Sequence, residues 1–129
     1  MPEFLSDEWF AVVAKAADEL PEVPGASLVM QHVVSGTPHG KVHAVVEVRD
    51  GRIVEARRGK RVDAECTLTW NHADAVAALR GELPIDVAFM RGDLKVDGDY
   101  VRLLFGLRPV LTSEAGRAFV ASVLAATEL

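Results

Sequence analysis

The residues from Ala64 to about Leu107 restrict the fold most, because here the hydrophobic period changes from that of a strand to that of a helix and back again. Cys66, Leu68 and Trp70 alternate with Glu65, Thr67 and Thr69, the mark of a strand with one buried face. Asn71 is a good N-cap, Asp74 follows it much as in a capping box, and Gly81 closes the helix. A short apolar segment then leads to a second strand, in which Leu94 and Val96 alternate with Asp93, Lys95 and Asp97 up to Gly98-Asp99. Asp99 can cap a short helix holding Val101, Leu103, Leu104 and Phe105, which Gly106 and Pro109 stop.

The N-terminal part reads as a helix followed by a meander. Ser6 caps the helix, Asp7 and Glu8 sit where its dipole favours acids, and Leu5 and Phe10 occupy the positions of a hydrophobic staple. Trp9, Val12, Val13, Ala16, Ala17 and Leu20 form one apolar stripe before Pro21, Pro24 and Gly25 end the element. Residues 27–35, 41–49 and 52–58 read as three strands, with Asp50-Gly51 suited to a type I′ hairpin. Val42, Ala44, Val46 and Val48 face one way and His43, Glu47 and Arg49 the other, so helices should cover one side of the sheet. The basic run from Arg57 to Arg61 reads as a solvated turn. Near the C-terminus, Thr112 or Ser113 caps a last helix through about Thr127, with Ala115, Phe119, Val123 and Leu124 on one stripe.

Length and composition suit one domain spanning residues 1–129. The formal net charge of -5 argues against nucleic acid as a partner. Charge is unevenly spread, acidic over residues 1–24 and basic over residues 41–61. Cys66 is the lone cysteine, so a reducing compartment is expected, and the chain shows neither a secretory leader nor a peroxisomal ending. Cytoplasm is the default location. No apolar run reaches the ~20 residues that span a bilayer, which leaves transient membrane contact as the only expected kind.

No reactive constellation stands out. The histidines His32, His39, His43 and His72 lack paired helical spacing, so no metal and no cofactor is expected. Gly92, Gly98 and Gly106 are turn residues rather than a phosphate cradle, and Asp93, Asp97 and Asp99 read as a solvated face with a cap. Cys66 should be buried and inert. His32 shares parity with Leu28, Met30 and Val34, and is expected to be a satisfied or outward-facing histidine more than a cavity base.

Two blocks carry a family resemblance. Ala64-Glu65-Cys66-Thr67-Leu68-Thr69 and Phe89-Met90-Arg91-Gly92-Asp93-Leu94-Lys95-Val96-Asp97-Gly98-Asp99, with the capped helix between them, resemble the sterol carrier protein type-2 family. The resemblance is sharp over residues 64 to about 107 and a pattern match before that. It implies an α/β (α+β) fold with a five-stranded, mostly antiparallel sheet covered by helices on one face. It also implies a tunnel between sheet and helices for a lipid, fatty acyl chain or sterol-like molecule, with no catalysis.

The ligand-binding residues expected on that basis are Trp70, Val76 and Leu79, then Ile85 and Phe89. Leu103, Leu104, Phe105 and Phe119 complete the set. The rings of Trp70 and Phe89 are expected to narrow the space against sterol-sized ligands. The resemblance also admits an accessory role, as a dimerisation or substrate-docking module for a separate enzyme, and a homodimer. A small enzyme using His32 or an aspartate as base is the weakest reading.

Overall fold

The computed structural model covers residues 1–129. Five strands form one sheet: β1 (Leu28–Thr37), β2 (Gly40–Arg49), β3 (Arg52–Arg58), β4 (Cys66–Asn71) and β5 (Lys95–Gly98). Their order is β3-β2-β1-β4-β5, and only the central β1–β4 pairing is parallel. The meander therefore stands as expected, and its tight turn has positive φ at both Asp50 (49°) and Gly51 (82°), as a type I′ turn requires.

The helices are α1 (Asp7–Ala16), α2 (His72–Leu79), α3 (Ile85–Arg91), α4 (Arg108–Leu111) and α5 (Glu114–Ala125). Caps form where the sequence places them. Ser6 accepts from the Trp9 N–H at 3.2 Å, Asn71 from Asp74 N–H at 2.8 Å and Ser113 from Gly116 N–H at 2.9 Å. Leu5 and Phe10 are both buried, as a staple needs. The apolar segment after Gly81 is not loose chain but α3, begun by Pro84 and closed by Gly92 at φ 80°. Only Ala88 of α3 is fully buried, so its pattern was too weak to declare a helix. The short helix after Asp99 also departs from α geometry, since Arg102–Gly106 is a π-helical turn in which Leu107 N–H donates to the Arg102 carbonyl.

The strand residues of inward parity build the core. Leu28, Met30, Val34, Val42, Ala44, Val48, Cys66, Leu68 and Trp70 join Trp9, Phe10, Val13, Leu103, Leu107 and Val123 in one buried cluster. Desolvation pushes the Cys66 thiol up to about 11, so it is an inert core side chain.

The opposite face carries a difference from the expected solvated turn. Gln31, paired across the sheet with Val45, spends its amide on this face. Its Nε2 donates to the carbonyls of Ala44 and Gly59 at 3.0 Å, and its Oε1 accepts from the Arg61 N–H at 3.0 Å. The chain between β3 and β4 is thereby tied across the sheet, and Val45 beneath is fully buried. Arg61 extends the seal, donating to Glu47 at 2.6 Å and to both Asp63 oxygens. The Arg61 guanidinium holds both carboxyls below their usual range. A basic run adjoining a sheet edge looks solvated because nothing local betrays the partner Gln31, thirty residues back. No helix is long and apolar enough to cross a membrane.

Candidate functional site

The helices do not fill the space above the sheet. The two main pockets there measure about 510 Å³ and about 180 Å³. The larger lies among the helices: Trp70 is its only strand residue, and α2, α3, the π turn, α4, α5 and the α2–α3 and α4–α5 connections supply the rest. The smaller rests on the sheet, floored by Met30, His32, Val46, Val48, Ile53 and Leu68. Ile85, Leu103, Leu111 and Val120 line both, so these four side chains stand between the helix-side and the sheet-side space.

The local folding that produces this arrangement can be followed. Strand alternation sends Met30 and His32 to the helix-covered side of β1, and Val46 and Val48 to the same side of β2. The Asp99 carboxylate accepts from the Arg102 N–H at 3.0 Å and starts the turn that brings Leu103 and Leu104 to the helix-side pocket. At the α4–α5 corner, Gly116 lets the two helices approach closely, since a Cβ there would lie 2.0 Å from the Val110 carbonyl oxygen.

Six of the expected ligand-binding residues come together here. Trp70, Leu79 and Leu104 line the helix-side pocket, Phe119 the sheet-side one, and Ile85 and Leu103 both. Val76, Phe89 and Phe105 line neither. Phe89 stacks on Tyr100 with ring centroids 5.8 Å apart, so its ring does not narrow either pocket. Phe105 is 63% exposed, turned out of the core because the π turn rotates it away from Leu103.

Sequence reasoning missed the polar rim and the far wall. Arg80, Arg108 and Arg117 line the helix-side pocket with Asp86, and Arg117 donates to the Thr112 carbonyl at 2.7 Å. Leu111, Val110 and Val120 carry no signal beyond ordinary helical periodicity, so their role at the pockets needed the α4–α5 corner to be known.

His32 is the polar exception in the sheet-side pocket. Its Nδ1 accepts a hydrogen bond from the Trp70 indole N–H at 3.3 Å. Burial pushes its pKa down to about 4, so the ring is neutral near pH 7 and a weak base, with its acceptor nitrogen already engaged. No three His, Cys, Asp or Glu side chains converge in a way that would hold a metal ion.

The SCP-2 sterol transfer family matches residues 12–103, which includes the second half of α1, the meander and both resemblance blocks. The chain belongs to the SCP-2 sterol transfer family. Solved structures carry the same fold at low identity. A sterol carrier protein 2 crystal structure is 17% identical, with a TM-score of 0.65 over 95% of this chain and 98% of that one. A palmitated SCP2L2 from Aedes aegypti, solved by NMR, is 20% identical, with a TM-score of 0.56 over 82% of this chain and 89% of that one. A stereoselective inverting sec-alkylsulfatase from Pseudomonas sp. is 19% identical, with a TM-score of 0.55 over 78% of this chain but only 15% of that enzyme. No curated protein is a significant match. At these identities the structures establish a shared fold, and the SCP-2 family assignment is what links the chain to lipid binding and transfer.

Proposed function

We propose that this SCP-2 family member binds and carries, without chemical conversion, a hydrophobic small molecule in an apolar tunnel between its sheet and its helices. A lipid, a fatty acyl chain or a sterol-like molecule fits the class. The observation that carries this reading is the pair of adjoining pockets that share Ile85, Leu103, Leu111 and Val120. A ligand long enough to pass these four side chains would occupy both. The proposed contacts are Trp70, Leu79, Ile85, Leu103, Leu104 and Phe119.

Magnitudes favour a simple binder. Burying one methylene yields about 0.8 kcal/mol, so ~10 of them gain on the order of 8 kcal/mol before association costs. Micromolar affinity then needs no special polar chemistry. The palmitated form of the Aedes aegypti neighbour supports an acyl chain as a ligand for this fold. The likeness to the alkylsulfatase concerns a small part of that enzyme and brings no reactive set to this chain. We place the carrier in a reducing compartment such as the cytoplasm, on the strength of Cys66 as the only cysteine. The accessory docking role has no comparable feature behind it.

Native mass spectrometry of freshly purified protein, followed by organic extraction, tests the reading. A co-purified lipid or steroid, or saturable uptake of a labelled acyl chain by stripped protein, is the expected result. An apo mass together with no saturable uptake of acyl chains or sterols would overturn it.

A further inference from the structure

The sheet-side pocket has one polar side chain, and its hydrogen-bonding state follows from its neighbour. An indole N–H can only donate, so the His32 Nδ1 that faces the Trp70 Nε1 at 3.3 Å must be the acceptor nitrogen. A neutral imidazole with an acceptor Nδ1 carries its proton on Nε2. That Nε2–H has no partner in the protein. Every other residue lining this pocket has an apolar side chain or none. The two glycines there add no free donor, because Gly51 N–H is bonded to the Ala26 carbonyl and Gly116 N–H to the Ser113 hydroxyl.

We infer that His32 selects the end of the ligand that lies against the sheet, donating from Nε2 to an uncharged, acceptor-only oxygen such as a ketone or ester carbonyl. The inference rests on the hydrophobic-ligand reading above and deepens it. A hydrocarbon end leaves the imidazole N–H unpaired, which costs binding free energy. An alcohol satisfies the histidine but brings its own O–H, and the only ring acceptor is held by Trp70. A carboxylate brings a charge to a pocket lined by no cation. A carbonyl leaves no donor unpaired on either side. Trp70 is the positioning residue, since it holds the tautomer while lining the helix-side pocket.

The test is a cycle of two ligands and two proteins. Headspace partitioning of methyl heptyl ketone and of nonane is measured over the unmutated protein and over His32→Leu, which cancels the different costs of taking each ligand from water. The ratio of ketone to alkane affinity should fall by about three- to tenfold in His32→Leu, the worth of one hydrogen bond. An unchanged ratio overturns the inference while leaving the hydrophobic-ligand reading intact. If neither ligand partitions into the unmutated protein, both fail together.

A second readout needs no variant. With 15N-labelled histidine, His32 should show the Nε2-protonated tautomer, and its Nε2 resonance should move on saturation with ketone and stay in place with nonane. An Nδ1-protonated ring, or an Nε2 that ignores bound ketone, overturns the assignment.

Discussion

His32 resists protonation in the folded chain, and this sets an acid limit on stability. In the unfolded chain the ring takes a proton near its ordinary value of 6.5, whereas burial holds the folded ring down to about 4. The unfolded state therefore binds more protons through this window, and stability is lost as pH falls through it. The full shift corresponds to about 3 kcal/mol at ~1.4 kcal/mol per unit. Urea unfolding near neutral pH and again near pH 4 should show a larger loss in the native chain than in His32→Gln, since the lowered carboxyls of Glu47 and Asp63 contribute to both. Gln31 makes a second residue-scale case on the other face. Gln31→Leu removes the bonds to Ala44, Gly59 and Arg61, and should cost about 2–3 kcal/mol in the same assay. A change below ~0.5 kcal/mol would mean that the crossing segment stays in place without it. Period-2 parity put His32 on the face of Leu28, Met30 and Val34, but its polar ring left an outward-facing histidine as an equal expectation, which the sheet-side pocket corrects. Its bond to Trp70 was not readable in the sequence, because that pairing depends on β1 and β4 lying side by side in parallel.

Elements were most legible where a single residue determines local geometry. Asn71, Ser6 and Ser113 cap helices, and Asp50-Gly51 turns the hairpin, because each acts on the backbone within a few positions of itself. The same reasoning failed for α3, which packs only Ala88 deeply, and for the π turn, whose extra residue no propensity encodes. The α4–α5 corner depends on a contact between elements, and a prediction belongs there. Gly116→Ala drives a Cβ against the Val110 carbonyl oxygen, 2.0 Å from where it would sit, and Gly116 also lines the sheet-side pocket. The substitution should cost about 1–3 kcal/mol in chemical denaturation, as overpacking does. Gly106→Ala is the comparison, since its Cβ would meet only the Arg102 side chain at 3.5 Å. It should fall within about 0.5 kcal/mol of the native chain. Equal effects at the two glycines would show that the corner can open without cost.

At the scale of the whole molecule, the sequence specified which residues are apolar but not whether they meet. Trp70, Leu79, Ile85, Leu103, Leu104 and Phe119 satisfy a filled core and a hollow one equally well on pattern alone. What separates the two outcomes is how far α4 and α5 stand from the sheet, a distance with no local signature. Phe105 shows the cost of reading pattern alone, since it has the residue type for a pocket and lies 63% exposed. Filling the space distinguishes a carrier from an interaction module. Val120, half-buried on α5, lines both pockets, so Val120→Phe puts a ring into space that is otherwise empty. Because the added atoms enter a void and not a packed contact, the fold should be retained, with unfolding free energy unchanged or raised by about 1 kcal/mol. Saturable acyl-chain uptake should fall by at least about tenfold, the equivalent of ~1.4 kcal/mol of lost burial or two methylenes excluded. Circular dichroism confirms the fold, and the uptake assay decides the matter. A folded Val120→Phe protein that takes up acyl chains as well as the native chain would mean that ligands bypass the junction of the two pockets, and the shared lining would then have no part in binding.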